Sequence, residues 1–411
     1  MSFIMNIRSV AKYESKILVR SWFFRIFTLL AVVFLGFFNF AMMLMEDNFG
    51  LWFAKSVSSN IPYLNLLLLN TGQAVVAVFL SSEFLKRDKK LDTFEVFYVR
   101  PLSNAEYVVG KIWGNLRVFL FLNLLVLAIV LAFNFMASGV TVDLPAYLVY
   151  FFLISIPTLI FIIGLSIFLM LLLKNQALTF ILLLGYIGLT LFYIQDKFYY
   201  LFDYMVYNLP LFKSTIVGFS NLELILNHRA IYFFAGLGFI FFTIFLFKRL
   251  PNARRSHYPW LFLSFCMFLL MVTAGFRHVR SILWEGEMRA LYTSINNKYV
   301  YEPKMAIDYY DISVEQKSET IRSVVGMEGT ALAASEVFIF CLNPGLRVEE
   351  VKDGEKSLNF KREEQILAVD FGRKIEKGDT ISFSVSYEGR IKDDFCYLDI
   401  PEEVLQQPHD K

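Results

Sequence analysis

Residues 146–173 read AYLVYFFLISIPTLIFIIGLSIFLMLLL and contain no charged side chain. A helix needs about 20 mainly apolar residues to cross the hydrocarbon core of a bilayer, and this stretch exceeds that length. Pro157 lies inside it, and because proline cannot donate a backbone hydrogen bond, we predict a kink or a tilt there. The stretch therefore predicts a membrane-spanning helix.

Similar apolar runs lie on both sides of this stretch. Of the 411 residues, 56% are hydrophobic and 18% are charged, whereas a soluble globular chain carries about 25% charged residues. The formal net charge of +2 also argues against nucleic-acid binding by bulk charge. We predict an α-helical polytopic membrane protein with about seven spans in a lipid bilayer. The other candidate spans are Trp22–Met45, Ile61–Ser82, Ile112–Phe135, Gln176–Ile194, Ala230–Phe247 and Trp260–Ala274.

Lysine and arginine gather in alternate connections between these runs, which predicts the orientation of the chain. Cytoplasmic loops carry an excess of positive charge, so we place the basic N-terminus in the cytoplasm. Seven crossings then put the C-terminal part outside an inner or plasma membrane. The basic residues on which this depends are Arg8, Lys12, Lys16, Arg20, Lys86, Arg87, Lys89, Lys90, Arg100, Lys174, Lys248, Arg249, Arg254 and Arg255.

Residues 7–20 alternate apolar and basic side chains at roughly helical spacing. This pattern predicts an amphipathic helix that lies on the inner membrane surface before the first span. A positively charged anchor without helical structure is the alternative interpretation.

The connection between the second and third spans, EFLKRDKKLDTFEVFYVRPLSNAEYVVGK at residues 83–111, is the most informative loop. Its basic residues cannot lie in lipid, and Leu91, Phe94 and Tyr98 would share one face of a short helix. Pro101 ends this helix, because the residue before a proline avoids the α region. The sequence Ser103–Asn104–Ala105–Glu106 is a capping box, which predicts that a new helix begins there and continues into the third span.

This loop resembles the corresponding part of ABC-2-type transporter permeases. An acidic residue ends the second span, and a basic cluster, Thr-x-Glu, Pro-x-Ser and Gly-Lys follow in the order found in that family. The resemblance extends to the N-terminal helix and six spans, about residues 5–250. The matching residues are Glu83, Arg87, Thr93, Glu95, Pro101, Ser103, Gly110 and Lys111.

The resemblance implies that the loop is a coupling helix that docks on a separate ATP-binding subunit. ATP and magnesium would bind to that partner, a second permease unit would complete the pathway, and this chain would carry no cofactor. The alternative interpretation is a solvated charged loop. The residues expected to contact the partner are Glu83, Arg87, Thr93, Glu95, Pro101 and Lys111.

Two further features of the membrane part carry predictions. Polar residues inside the spans are expected to form hydrogen bonds between helices more often than to line a pathway. The aromatic-rich loop 195–229 predicts two short interfacial or re-entrant helices, with a plain aromatic belt as the alternative. The polar residues are Asn70, Gln73, Asn123 and Asn134.

From residue 300 onward, short alternating runs separated by turn signals predict an all-β, sandwich-like domain. The predicted domains are the ABC-2-type permease at 1–250, the seventh span and a linker at 251–299, and the external β domain at 300–411. Residues 281–297 are expected to be a charged linker or an interfacial helix. The predicted strands are Ala306–Glu315, Glu336–Leu342, Leu346–Val351, Gln365–Asp370 and Thr380–Tyr387.

The phrases YDISVEQ, FCLNPGLRVEEVKDGEKSLNF and IEKGDTISFSVSYEGRI resemble the N-terminal β domain of M1-family metallo-aminopeptidases over about 110 residues. That family's zinc chemistry needs HExxH, and the four histidines here form no such pair. A GxxxxGK[ST] phosphate loop is also missing from the sequence, so we predict neither a metal site nor an enzyme activity on this chain. A truncated or split peptidase fusion and a binding module stay open, as does a bridge between Cys341 and Cys396.

Taken together, these features predict the membrane subunit of an ABC-2-type exporter with an external β domain. The alternative is a membrane anchor for a peptidase-like or binding module, without transport.

Overall fold

The computed structural model describes residues 2–44, 58–82, 102–136, 142–194, 197–209, 211, 213, 218–219, 221–247, 258–317, 319–392, 395 and 398. The chain divides into two compact units, Met1–Val279 and Arg280–Lys411. The first unit is helical, and the second contains the β-strands together with the end of the last helix.

Seven helical segments in the described residues are long and apolar enough to cross a membrane, as predicted. Large apolar side chains on them are exposed, such as Phe37 (70%) and Phe265 (64%), because the surface that would cover these side chains is lipid. The helices are α1 (Ser2–Arg20), α2 (Trp22–Leu44), α3 (Asn60–Ser82), α4 (Asn104–Met136), α5 (Leu144–Tyr150), α6 (Ile156–Leu173), α7 (Gln176–Leu189), α8 (Leu222–Leu246) and α9 (Tyr258–Lys298).

The fourth span is interrupted at the place where Pro157 predicts an irregularity. A π turn at Phe151–Ser155 joins α5 to α6, and Pro157 occupies the first turn of α6. A second π turn, Thr190–Ile194, extends α7. Proline is tolerated in the first turn of a helix, but here the preceding turn is also helical and is left one backbone donor short.

The predicted N-terminal helix and the predicted start of the third span are both found, although the N-terminal helix begins at Ser2 and not at residue 7. The N-terminal segment is the helix α1, and α4 begins with the predicted capping box. The backbone N–H of Ser103 donates to Glu106 Oε2 at 2.6 Å, and the Glu106 N–H donates to Ser103 Oγ at 3.2 Å. Each side chain thus satisfies one backbone donor that the helix itself leaves unpaired.

The last helix differs from the prediction. We expected a span at Trp260–Ala274 and a separate segment at 281–297, whereas α9 is continuous over 41 residues. At 1.5 Å per residue it is about 60 Å long, roughly twice the thickness of a hydrocarbon core. The sequence between the two predicted segments has no proline, and Gly275 and Gly286 do not end the helix.

The β domain contains two antiparallel sheets, as predicted for a sandwich-like fold. One has five strands in the order β1-β2-β8-β4-β5, and the other has three in the order β3-β7-β6. The aromatic rings of Phe338, Phe371 and Phe383 meet edge to face in the core. The strands are β1 (Met305–Lys317), β2 (Thr320–Ala331), β3 (Ser335–Cys341), β4 (Leu346–Asp353), β5 (Lys356–Ser357), β6 (Asn359–Glu363), β7 (Ile366–Ile375) and β8 (Thr380–Gly389).

The five predicted strands are found, but the sequence analysis missed β2, β5 and β6. The strand β2 was missed because Gly326 and Gly329 interrupt its alternation of apolar and polar residues. Glycine is needed at position 329 for a steric reason, since a Cβ atom there would lie 2.9 Å from Ile307 Cδ1, beside the bulge between β1 and β2.

The predicted bridge between Cys341 and Cys396 is not tested. Cys341 carries a free thiol, and Cys396 lies outside the described residues.

The end of α9 is hydrogen-bonded to the β domain within the second unit. The buried side chain of Gln365 donates to Tyr292 O at 2.7 Å and to Asn296 Oδ1 at 2.9 Å. Lys298 and Tyr299 both bind the Glu363 carboxylate. These donors, with the Tyr299 hydroxyl as the largest contributor, hold the pKa of Glu363 below its usual value.

Candidate functional site

Most of the predicted coupling loop lies outside the described residues. This holds for Glu83, Arg87, Thr93, Glu95 and Pro101, so their contact with a partner stays a prediction. The next described residue after Ser82 is Leu102, which lies immediately before the capping box of α4. The two helices that the loop connects, α3 and α4, are described and pack against each other.

Lys111 is described, and it is buried with 3% of its surface exposed. Its Nζ lies 3.5 Å from Glu14 Oε2, and Glu14 is equally buried on α1. This ion pair is shielded from water, so its Coulomb attraction is stronger than that of a surface pair. The contact places Lys111 against α1, and a role of this residue in coupling would pass through α1.

The first half of α4 forms a close seam with α1. A Cβ atom on Gly110 would lie 2.7 Å from Val10 Cβ, and one on Gly114 would lie 2.9 Å from the Ala11 carbonyl oxygen. Glycines four residues apart let two helix backbones approach each other closely. Ser15 uses this proximity to donate to the Gly114 carbonyl at 2.7 Å.

Arg117 completes this seam one turn further along α4. Its Nε donates to Ser15 Oγ at 2.5 Å, and its Nη2 donates to the Ala11 carbonyl at 2.8 Å. At the other end, Asn6 Nδ2 donates to Glu106 Oε1 at 2.9 Å. The sequence analysis missed Gly114 and Arg117, although the Gly-x-x-x-Gly spacing was a readable signal. The amphipathic helix is thus fixed to the third span by buried polar contacts.

A second polar cluster joins three spans, as predicted for polar residues in a bundle. Asn123 Nδ2 donates to Gln73 Oε1 at 2.9 Å, and Gln73 Nε2 donates to Asn70 Oδ1 at 2.6 Å. Ser155, in the π turn, donates to Asn123 Oδ1 at 2.8 Å. Asn134 donates separately to the Tyr147 hydroxyl at 3.0 Å. All of these residues are buried, and the predicted hydrogen bonds between helices are confirmed.

We expect Asn123→Leu to lower the free energy of unfolding in detergent by about 1 kcal/mol, because hydrogen bonds between membrane helices contribute roughly that amount. Asn134→Leu is the matched control, since it makes the same change on the same helix and removes one hydrogen bond to Tyr147. We expect Asn134→Leu to lower the free energy of unfolding by less than Asn123→Leu does. Equal losses for the two variants would contradict a special role of the three-span cluster.

The most heavily coordinated cation of the described bundle is Arg229 of α8, which is 2% exposed. Its Nε donates to the Leu153 carbonyl at 2.7 Å, and its Nη1 donates to the Tyr204 carbonyl at 3.0 Å. Its Nη2 donates to Thr158 Oγ1 at 2.9 Å. A planar guanidinium with five donors suits such divergent acceptors, and a lysine would not.

Pro157 explains why these acceptors need an arginine. In an α-helix the N–H of residue 157 would bind the carbonyl of Leu153, but proline has no N–H. An unpaired backbone carbonyl in an apolar bundle costs several kcal/mol, and Arg229 supplies the missing donor. The interrupted span and the buried arginine are therefore two parts of one structural solution.

The same arginine contacts an irregular segment between α7 and α8, which is buried around Tyr204. Tyr204, Met205, Val206 and Leu209 in this segment are fully buried. The described part of the segment contains one 3₁₀ turn, Phe198–Tyr200, where two short helices or an aromatic belt were expected. The prediction of two short helices was wrong for these residues, because the chain instead bonds its carbonyls to neighbouring helices.

Side chains of four helices hold this segment. His228 and His278 bond to the carbonyls of Tyr200 and Tyr199, and the Tyr232 hydroxyl donates to Leu201 O. Thr158 donates to the carbonyl of Tyr204, and the Tyr63 hydroxyl donates to that of Val206.

The backbone of the segment is strained. Val206 has a φ of 62°, and Tyr199 has a φ of 58°. Left-handed conformations at such residues persist only where the surroundings impose them.

Asp203 binds the backbone of its own segment. Its carboxylate is fully buried and accepts backbone N–H groups of Tyr207 and Asn208, both at 2.8 Å. Asp203 also lies near enough to Arg229 for electrostatic attraction. The sequence analysis missed both charges, because it started the sixth span at Ala230 and left residues 195–229 as a loop, whereas α8 begins at Leu222.

The described residues contain no group of three or more histidine, cysteine, aspartate or glutamate side chains placed to hold a metal ion.

No family model and no curated protein matches this chain. Among solved structures, an M1 zinc metallopeptidase of Deinococcus radiodurans, bound to a Tyr-Ser-Ala substrate, matches with 17% identity and a TM-score of 0.20. The match covers 21% of this chain and 21% of the peptidase, so this chain spans about a fifth of the protein that it matches. The chain is a multi-span helical membrane protein whose C-terminal β region weakly resembles a fragment of an M1 metallopeptidase.

Proposed function

We propose that this chain is the membrane subunit of an ABC-2-type, ATP-driven exporter, coupled to a separate ATP-binding subunit through residues 83–111. The ATP and magnesium would bind to that partner, and two permease units would form the pathway. The N-terminus would lie in the cytoplasm and the β domain outside.

The observation that carries this proposal is the seam between α1 and α4. The capping box fixes where α4 starts after the loop, and the buried Lys111–Glu14 pair with Arg117 fixes α1 to α4. A movement imposed on the loop would therefore displace α1 and α4 as one body. This is the behaviour that a coupling element requires, since a loop with loose ends would absorb the movement.

The buried segment around Tyr204 supports a second element of the proposal. Arg229 connects it to the interrupted fourth span, and π turns occur frequently at functional sites in helices. In an exporter, such a strained and multiply bonded segment would serve as a gate between two arrangements of α6 and α8.

The test is gentle detergent extraction of the tagged chain, followed by identification of the proteins that co-purify. We expect a stoichiometric ATP-binding protein, and we expect Glu95→Lys to reduce its recovery by at least tenfold, because a reversed charge in a desolvated contact costs about 2 kcal/mol or more and a factor of ten in affinity is about 1.4 kcal/mol. Lys16→Glu is the control, since Lys16 is an exposed residue of α1 on the same predicted side of the membrane.

The role of the loop would be contradicted if the Glu95→Lys variant kept its helical content and co-purified with as much of the ATP-binding protein as the unchanged chain does. Recovery of only a peptidase-like protein, retained by residues 300–411, would favour the alternative of a membrane anchor without transport.

A further inference from the structure

Among the described strands, the first strand of the β domain forms a long outer edge. β1 has 13 residues, and it is the outer strand of the five-stranded sheet. From Tyr309 to Lys317 its register with β2 is unbroken, so it presents a regular row of backbone donors and acceptors on its other side. Such an edge is a template for pairing with another strand.

The inner face of this edge is apolar and more than half exposed within the part of the chain that the structure describes. Tyr310, Ile312 and Val314 alternate along β1, and Ile312 is opposite the buried core residue Val325 of β2. Yet these three side chains are 53–56% exposed. Strand geometry puts them on the core side of the sheet, the side to which the buried Val325 belongs.

The other edges of the two sheets are protected in the usual ways. β5 is two residues long, β6 carries Lys361 and Arg362, and β3 is interrupted by a bulge between Ser335 and Val337. Short edge strands, basic side chains and bulges each oppose pairing. Along β1 between Tyr309 and Gln316, the described structure shows none of these devices, and the charged residues there are acidic.

Like charges exclude two of the self-complementary registers of β1. If two copies continue one sheet with their inner faces on the same side, a residue must lie on the two-fold axis. An axis at Asp311 would put two Asp311 side chains opposite each other, and an axis at Ser313 would put Asp311 opposite Glu315. Like charges directly opposite each other destabilise a strand pair.

An axis at Ile312 avoids both conflicts. It pairs Ile312 with its own copy, Tyr310 with Val314, and Asp311 with Ser313. All three uncovered apolar residues then meet apolar partners, and aromatic residues opposite β-branched ones are favourable cross-strand pairs. We propose that the β domains of two copies of this chain associate through antiparallel β1 strands, with Ile312 on the two-fold axis.

The test uses the full chain in membranes, with Cys266, Cys341 and Cys396 replaced by serine and one cysteine introduced. With a short bis-maleimide, we expect Ile312→Cys to give mostly crosslinked dimer. Lys317→Cys is the matched control on the same exposed strand, since the two copies of residue 317 would lie about 34 Å apart in this register. Failure of Ile312→Cys, or equal crosslinking at both positions, would overturn the proposal.

A charge exchange tests the register itself. In the Ile312→Cys background, Tyr310→Lys and Val314→Glu should each reduce crosslinking by about tenfold, and the double variant should restore it, because each new lysine then faces a new glutamate. Both positions are exposed, so resistance of the β domain to proteolysis should not change. A double variant as weak as the single variants would refute the pairing. Pairing of the β1 strands does not require transport activity. Crosslinking tests this pairing, whereas co-purification of the ATP-binding protein tests the proposed exporter function, so the two can fail independently.

Discussion

Arg229→Ala is expected to lower the free energy of unfolding of the bundle by about 3–5 kcal/mol, the largest loss that we predict for a single side chain. The substitution leaves the carbonyls of Leu153 and Tyr204 without this donor in an apolar environment. It also removes the donor to the Thr158 hydroxyl, which itself donates to the Tyr204 carbonyl. We expect Arg229→Lys to recover less than half of the loss, because an ammonium group cannot reach acceptors that lie in different directions.

The measurement is unfolding in mixed micelles, with Arg277→Ala as the matched control. Arg277 has a 61% exposed side chain and pairs with Glu223 at the surface, so its removal should cost less than about 1 kcal/mol. Similar losses for the two alanine variants would show that Arg229 does not hold the interrupted span and the buried segment together.

Gly114→Val is expected to separate α1 from α4, with a loss of about 1–3 kcal/mol in stability and a larger loss of coupling. The new Cβ would lie 2.7 Å from Glu14 Cβ and 2.9 Å from the backbone oxygen of Ala11, and a backbone atom cannot move aside as a side chain can. The displacement would break the bonds that Ser15 and Arg117 make across the seam. Recovery of the ATP-binding partner should fall with it.

Gly185→Val on α7 is the control for this prediction. A Cβ at Gly185 meets no atom within 4 Å, while the cost of a β-branched residue in a helix is the same at both sites. The difference between the two variants therefore isolates the contact with α1. If Gly114→Val binds the partner as Gly185→Val does, the seam has no part in coupling.

The features that sequence analysis predicted correctly depend on neighbours in the chain. Apolar runs of sufficient length gave the seven spans, and Ser103 with Glu106 gave the start of α4, because a capping box is complete within four residues. The alternating pattern likewise gave five strands of the β domain. Asn70, Gln73 and Asn123 were expected to bond between helices, and they do so.

The features that it missed depend on residues far apart in the chain. Arg229 was read as part of a loop, because one charge beside an apolar run usually ends a span, and its acceptors lie about 75 and 25 residues earlier. The continuity of α9 escaped detection, since charged residues after Ala274 end a span without ending a helix. The coupling residues Glu83, Arg87, Thr93 and Glu95 stay predictions.

The pairing of Arg229 with the interrupted fourth span also bears on biogenesis. A translating ribosome delivers residues in chain order, so Leu153, Pro157 and Tyr204 leave it before α8 does. An arginine at the centre of an inserting helix costs about 2.5–3.5 kcal/mol, which is an upper bound for Arg229 in the first third of α8, and its acceptors have already been synthesised when it enters the bilayer. The order of synthesis thus supplies the acceptors first and the cation last, so the helix that carries the arginine enters beside the segments that bind it.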